Sequence, residues 1–238
     1  MSICFLNNEY VLLSEAKVSV LDRGFIFGDA VYEVLPGFGG KFFALAQHLE
    51  RLNDNLNKVS IDPPYSSKEW EELLATLSEK NGNSDLSFYI QVTRGVAERN
   101  HFFPMDCEPT VFVMCTNLKS SSNPLIKSCI TRSDNRWGRC DIKTTSLLPN
   151  LMLKNEALLS DAFEVILLKN GMLTEGASSN VFVVSKGRVK TPEVSNFILP
   201  GVTRDFVLQV LNELGITCER RTVITEELFD ACEIWLTS

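Results

Sequence analysis

Apolar and polar residues follow two periods along this chain, and the periods divide it into elements. Ile3-Cys4-Phe5-Leu6 and Tyr10-Val11-Leu12-Leu13 flank Asn7-Asn8 and predict a hairpin. Residues 16–20 alternate and predict a strand, with a turn at Asp22-Arg23-Gly24. The run Phe25-Ile26-Phe27-Gly28-Asp29-Ala30-Val31-Tyr32-Glu33-Val34 predicts a strand bent at Gly28, followed by a short strand at Lys41-Phe42-Phe43. Leu45, Leu49, Leu52 and Leu56 recur at helical spacing, as do Trp70, Leu73, Leu74 and Leu77, and Asn81-Gly82-Asn83 ends the second helix. Leu86, Phe88, Ile90 and Val92 alternate with polar residues in a half-buried strand, and residues 110–115 form another.

Lys119-Ser120-Ser121-Ser122-Asn123-Pro124 is the one linker-like stretch. It divides the chain into a small α/β domain over 1–118, a linker over 119–124 and a larger domain over 125–238. The second half predicts strands at 126–130 and 163–168 around a helix over 149–160. Asn170-Gly171 then makes a hairpin turn into a loop carrying Glu175, ahead of the apolar run Val181-Phe182-Val183-Val184. Pro200-Gly201 opens an amphipathic helix through Val202, Phe206, Val207, Val210, Leu211 and Leu214. Extended chain at 216–218, a short helix capped by Thr225 and a strand at 233–236 complete the pattern.

Composition narrows the class. The 238 residues are 45% hydrophobic and 22% charged, which is ordinary for a folded globular chain. The net charge of −7 argues against non-specific nucleic-acid binding. Seven dispersed cysteines without a Cys-x-x-Cys pair, and only two histidines, point to a reducing compartment with neither a disulfide framework nor a metal centre. With no signal-peptide pattern and no membrane-length apolar run, a cytoplasmic protein is expected.

Three stretches carry candidate chemistry. Lys143 lies in Arg139-Cys140-Asp141-Ile142-Lys143-Thr144-Thr145-Ser146. A lysine amine condenses with an aldehyde only where its surroundings let it shed a proton. Glu175 sits among small residues, where a carboxylate could hold a pyridine nitrogen protonated. The helix start at Gly201-Val202-Thr203 offers backbone N–H groups and a hydroxyl to a phosphate.

Together with Asp22-Arg23-Gly24-x-x-x-Gly28-Asp29-x-x-Tyr32-Glu33 and His48-x-x-Arg51-Leu52, these stretches resemble the fold-type IV pyridoxal-phosphate enzymes. That family includes branched-chain, D-amino-acid and (R)-amine transaminases and aminodeoxychorismate lyase. The resemblance implies an α+β, two-domain fold with mixed sheets, a barrel-like C-terminal domain and flanking helices. It implies pyridoxal 5'-phosphate as cofactor, Lys143 as the Schiff-base lysine and Glu175 as the partner of the ring nitrogen. It places Leu199 against the ring, and Arg51, Val202 and Thr203 at the phosphate.

Arg99-x-His101-x-Phe103-Pro104 resembles the carboxylate trap of bacterial D-amino-acid aminotransferases. There an arginine and a histidine reach in from the partner subunit of a homodimer and grip the substrate with a tyrosine, here Tyr32. The expected activity is therefore ping-pong transamination between D-amino acids, D-alanine and D-glutamate above all, and 2-oxo acids. The alternatives are another fold-type IV activity or a truncated, non-catalytic homologue. The second arises because family members continue past the last strand, and a hydroxyl near that point completes their phosphate site. Ser238, the last residue here, is the candidate for it. Weaker cofactor retention is expected from the early end.

Overall fold

The computed structural model describes residues 2–118 and 126–238. The chain divides into two compact units, Met1–Ser122 with Ile142–Ser146, and Asn123–Asp141 with Leu147–Ser238. The expected linker at 119–124 lies outside the described residues. The sequence-based boundary put Lys143 in the second domain. The structure groups it with the first, because Ile142 is buried in the first unit's core and Thr144 bridges to Val31.

The first unit begins with the hairpin β1 (Ile3–Leu6) and β2 (Glu9–Leu12), whose turn residues Asn7 and Asn8 have φ of 45° and 71°. It continues with α1 (Arg23–Phe27), β3 (Ala30–Phe38), β4 (Lys41–Phe42), α2 (Leu45–Lys58), α3 (Ser67–Lys80), β5 (Leu86–Thr93) and β6 (Thr110–Asn117). The strands form one antiparallel sheet in the order β2-β1-β6-β5-β3-β4. Leu49, Leu52 and Leu56 of α2 and Trp70, Leu74 and Leu77 of α3 are sealed into one core with Leu35, Phe88 and Ile90 of the sheet. Each contributes about 2 kcal/mol of burial free energy.

Two expectations near the start give way. Residues 16–20 form no strand, and Val18 and Val20 are 53% and 72% exposed. Their alternation meets no neighbouring strand to pair with. Residues expected as a turn and a bent strand instead form α1, because the Asp22 side chain accepts from the Gly24 amide and caps a helical turn. Gly28 ends that helix in the left-handed region at φ 65°.

The second unit contains β7 (Cys129–Ser133), α4 (Leu148–Leu159), β8 (Glu164–Lys169), β9 (Met172–Gly176), β10 (Asn180–Ser185), β11 (Arg188–Thr191), α5 (Val202–Glu213), β12 (Cys218–Arg220), α6 (Thr225–Phe229) and β13 (Glu233–Thr237). Its strands form two small mixed sheets, β12-β11-β10-β13 and β7-β8-β9, where a barrel-like arrangement was expected. They share a core of Ile166, Leu173, Val181, Val183, Val223 and Leu228. The strand expected at 126–130 starts only at Cys129, and Ile126 is 99% exposed. Thr225 is not the cap of α6. The cap position is Ile224, while the Thr225 hydroxyl donates to the Gly171 carbonyl. Among the described residues no helix is long and apolar enough to cross a membrane, and no group of His, Cys, Asp or Glu is placed to hold a metal.

Candidate active site

Lys143 is held by a short extended segment laid against β3. The Tyr32 amide donates to the Lys143 carbonyl at 2.9 Å, and the Thr145 amide and Thr144 hydroxyl donate to the Ala30 carbonyl. The Thr145 and Ser146 hydroxyls donate to the Gly28 carbonyl. A Cβ at Gly28 would lie 2.7 Å from Ser146 Oγ, so a glycine is needed both for this contact and for the positive φ. The Lys143 side chain is half-buried, with Nζ 4.3 Å from the centroid of the Tyr32 ring. Tyr32 itself stacks on Tyr89.

Glu33, one residue on in β3, points to the opposite face and is fully buried. Arg51 donates to both of its oxygens, Nε to Oε2 at 2.9 Å and Nη2 to Oε1 at 2.6 Å. His48 Nδ1 lies 3.1 Å from Oε1. His48 and Arg51 reach the same carboxylate because they are three apart on α2. Burial alone would raise the Glu33 pKa. The hydrogen bonds from His48 and Arg51, with the charges of Arg51 and Lys143, outweigh it and hold the carboxyl at about 2. Arg51, expected at a phosphate, is thus oriented by a carboxylate that the sequence motif contained but did not single out.

Arg99 and His101 lie in the exposed segment between β5 and β6 and flank one ring. The Arg99 guanidinium is 5.4 Å from the Phe27 centroid, and the His101 and Phe27 rings are 5.8 Å apart.

In the second unit Glu175 lies on β9, not in the loop expected for it, and is 5% exposed. Its Oε1 accepts from Arg136 Nη1 at 2.5 Å; its Oε2 accepts from Asn180 Nδ2 and the Leu199 amide, each at 3.0 Å. Arg136 donates its Nε and Nη2 to Asp134, which also accepts from the Thr174 hydroxyl. Burial pushes the Glu175 carboxyl up to about 7, although Arg136 and the Leu199 amide pull it down. Burial also disfavours the Arg136 charge, but Asp134 and Glu175 more than offset this and raise its pKa. Arg136 was not among the sequence candidates. An Asp-x-Arg in a loop carries no sign of being buried.

Leu199 is half-buried and touches Glu175 through its backbone, and its carbonyl accepts from Asn180 Nδ2. Val202 is buried at the start of α5, whose Gly201 cap offers no side-chain hydrogen bond to the helix amides. A Cβ at Gly201 would run into Asn180 Oδ1, so this close approach requires glycine. The Thr203 hydroxyl donates to the Ser238 carbonyl at 3.0 Å, and Ser238 is exposed. The structure thus joins Tyr32 to Lys143 and Arg99 to His101 in the first unit, and Glu175 to Leu199 and Thr203 to Ser238 in the second.

Each unit by itself offers groups suited to a phosphorylated pyridine aldehyde: the first an amine on a fixed segment, the second a buried carboxylate and a helix start left uncapped by side chains. The family model for amino-transferase class IV matches residues 30–238. The D-alanine aminotransferase of Bacillus licheniformis is 39% identical over 242 residues, covering 100% of this chain and 84% of that protein. That of Staphylococcus aureus (strain N315) is 37% identical over 241 residues, covering 100% and 86%. Among solved structures, the branched-chain aminotransferase of Thermoproteus uzoniensis with norvaline matches with a TM-score of 0.89 at 24% identity, over 100% of this chain and 83% of that one. The α+β architecture is that of the fold-type IV transaminases. This chain belongs to the class IV aminotransferase family, and its chemistry is amino-group transfer.

Proposed function

We propose that this aminotransferase moves the amino group of D-amino acids, D-alanine and D-glutamate first, to 2-oxo acids, using pyridoxal 5'-phosphate. The full-length likeness to two D-alanine aminotransferases supports the substrate class. The observation that carries the cofactor assignment is the seating of Lys143, its backbone pinned to Tyr32 and its Nζ over the Tyr32 ring.

When bound, the cofactor supplies an electron sink for the bond electrons left on the substrate Cα. Lys143 would hold it and would carry the proton at the substrate Cα as general base and acid. Glu175 would hold the ring nitrogen, with Leu199, whose amide donates to Glu175, bordering it. The start of α5, with the Val202 and Thr203 amides, would take the phosphate. Arg51, fixed by Glu33, would add a charged contact to it, and Ser238 accepts from Thr203 at this helix start. Tyr32, Arg99 and His101 grip the α-carboxylate, the latter two serving the partner's site in a homodimer. One 2-oxo acid would leave before the other enters the same grip, which predicts ping-pong kinetics.

Initial rates with paired enantiomers test the substrate class. D-alanine should outrun L-leucine and L-valine; the reverse order overturns it. Subunit exchange tests the shared site. Arg99→Ala and Lys143→Ala, each nearly inactive alone, should regain about a quarter of full activity when mixed, by the counting of two-fold symmetry. Confirmed exchange without recovery rules out sharing.

A further inference from the structure

We propose that a buried network of Arg23, Asp29 and Arg94 is the positioning device for the Arg99–His101 segment, and so sets affinity for the substrate carboxylate. This rests on the reading above that Arg99 and His101 are the carboxylate grip.

The network holds two guanidiniums against one carboxylate. Asp29 Oδ2 accepts from Arg23 Nε and from Arg94 Nε, each at 2.8 Å, and Oδ1 accepts from Arg94 Nη2 at 3.0 Å. The side chains are 4%, 12% and 7% exposed for Arg23, Asp29 and Arg94. Burial disfavours the Asp29 charge, but its bonds to Arg94 and Arg23 outweigh this and hold its carboxyl below the ordinary value. The guanidinium N–H groups that Asp29 leaves unmet are buried with it and must find acceptors. Arg94 donates two further N–H groups to the Val59 and Ser60 carbonyls just past α2. Arg23 Nη1 donates to the Asn100 carbonyl at 2.7 Å, at the residue between Arg99 and His101.

Aromatic faces take up the rest. The Arg94 guanidinium lies 3.6 Å from the centroid of Phe103, and that of Arg23 lies 4.8 Å from Phe27. Phe27 is the ring that Arg99 and His101 flank, and it is on the same short helix as Arg23. The entry to the segment is tied to that helix by backbone: the Arg23 amide donates to the Gly95 carbonyl, and Asp22 bridges to Val96. Gly95 permits this at φ 104°, where a Cβ would strike the Glu108 carbonyl. The two guanidiniums are therefore engaged by the segment that bears the grip, at positions 100 and 103 on either side of His101. An exposed loop with no regular structure of its own is given one conformation.

The test uses Arg23→Met, which leaves Asp29 paired with Arg94, and Phe103→Leu at an exposed position, which keeps all three charges. Arg99→Ala is the reference for the grip itself. Hydrogen exchange of amides 97–103 is read without any cofactor, and KM and kcat for D-alanine are read on the cofactor-loaded enzyme. Arg23→Met should speed exchange in that segment alone. It should raise the D-alanine KM about tenfold with kcat little changed, since misplacing a gripping residue by an ångström costs that order of affinity. Phe103→Leu should do the same to a smaller degree, and it carries the test if Arg23→Met does not fold. Arg99→Ala raising KM while both other variants leave exchange and KM alone overturns the positioning role but keeps the grip. Loosened exchange with KM unchanged in all three variants overturns the grip, and the proposal with it.

Discussion

Glu33 in the first unit and Glu175 in the second are both almost sealed from water, and each is bonded to an arginine. Their acidities nevertheless part, to about 2 for Glu33 and about 7 for Glu175. Burial acts first on both, and upward. The difference lies in the donors and charges around each carboxyl. Arg51 gives Glu33 two N–H groups, and His48 and the charge of Lys143 add to it. Arg136 gives Glu175 one N–H and directs two at Asp134, whose own negative charge raises Glu175 further. Two N–H groups of one arginine, backed by a histidine and a lysine charge, thus hold a carboxyl lower than one N–H beside a second carboxylate. Glu33 is a fixed charge that orients Arg51. Glu175 is raised to about 7 by burial, with the Asp134 charge adding to it.

The largest effect should come from removing the Glu175 charge. Glu175→Gln keeps the size and leaves Arg136 paired with Asp134, but an amide cannot hold a protonated ring nitrogen. A fall in kcat on the order of 10³-fold is expected, as for loss of a positioned acid or base. A fall of less than tenfold would contradict the role. Glu33→Gln should act on stability instead. It leaves Arg51 without its carboxylate, and breaking a buried pair from one side costs on the order of 3 kcal/mol, read as a lower denaturation midpoint.

Titration sharpens the same contrast, because the two groups bend stability in opposite directions. The Glu33 pKa is depressed from 4.5 to about 2, so its contribution is complete above pH 4.5 and lost as pH falls toward 2. The Glu175 pKa is raised from 4.5 to about 7, so stability from this group declines as pH rises from 4.5 to 7. Unfolding midpoints across pH should lose the acid limb in Glu33→Gln and the slope above pH 4.5 in Glu175→Gln. The smallest effect is expected from Asn180→Ala. It removes one donor from Glu175 and strands the Leu199 carbonyl, at a cost of about 1–3 kcal/mol.

How much of this was legible in the sequence depends on what each residue's role leaves in the pattern. The leucine stripe of α2 and the alternation of β5 are periodic because one face of each is buried, and both lie where the periods put them. β11 left no such mark. It carries one aliphatic residue, Val189, and Lys190 is buried only because its charge is met by Ser185 and Glu227. Glu175 was singled out by its neighbours, but small residues around it read as a turn, and only pairing with β8 makes that stretch a strand. Arg136 and Asp134 were invisible because charges two apart in a loop look solvated until the fold closes over them. The Asp22 cap of α1 was hidden by the apolar residues that follow it.

The central claim is that Lys143 is the covalent anchor of pyridoxal 5'-phosphate, and it is open to one direct measurement. The protein is incubated with the cofactor, reduced with borohydride, digested and mapped by mass spectrometry. The account predicts the added phosphopyridoxyl mass on the peptide bearing Lys143, and its absence in Lys143→Ala. Stoichiometric label on another lysine, or none on the wild-type chain at saturating cofactor, would contradict it.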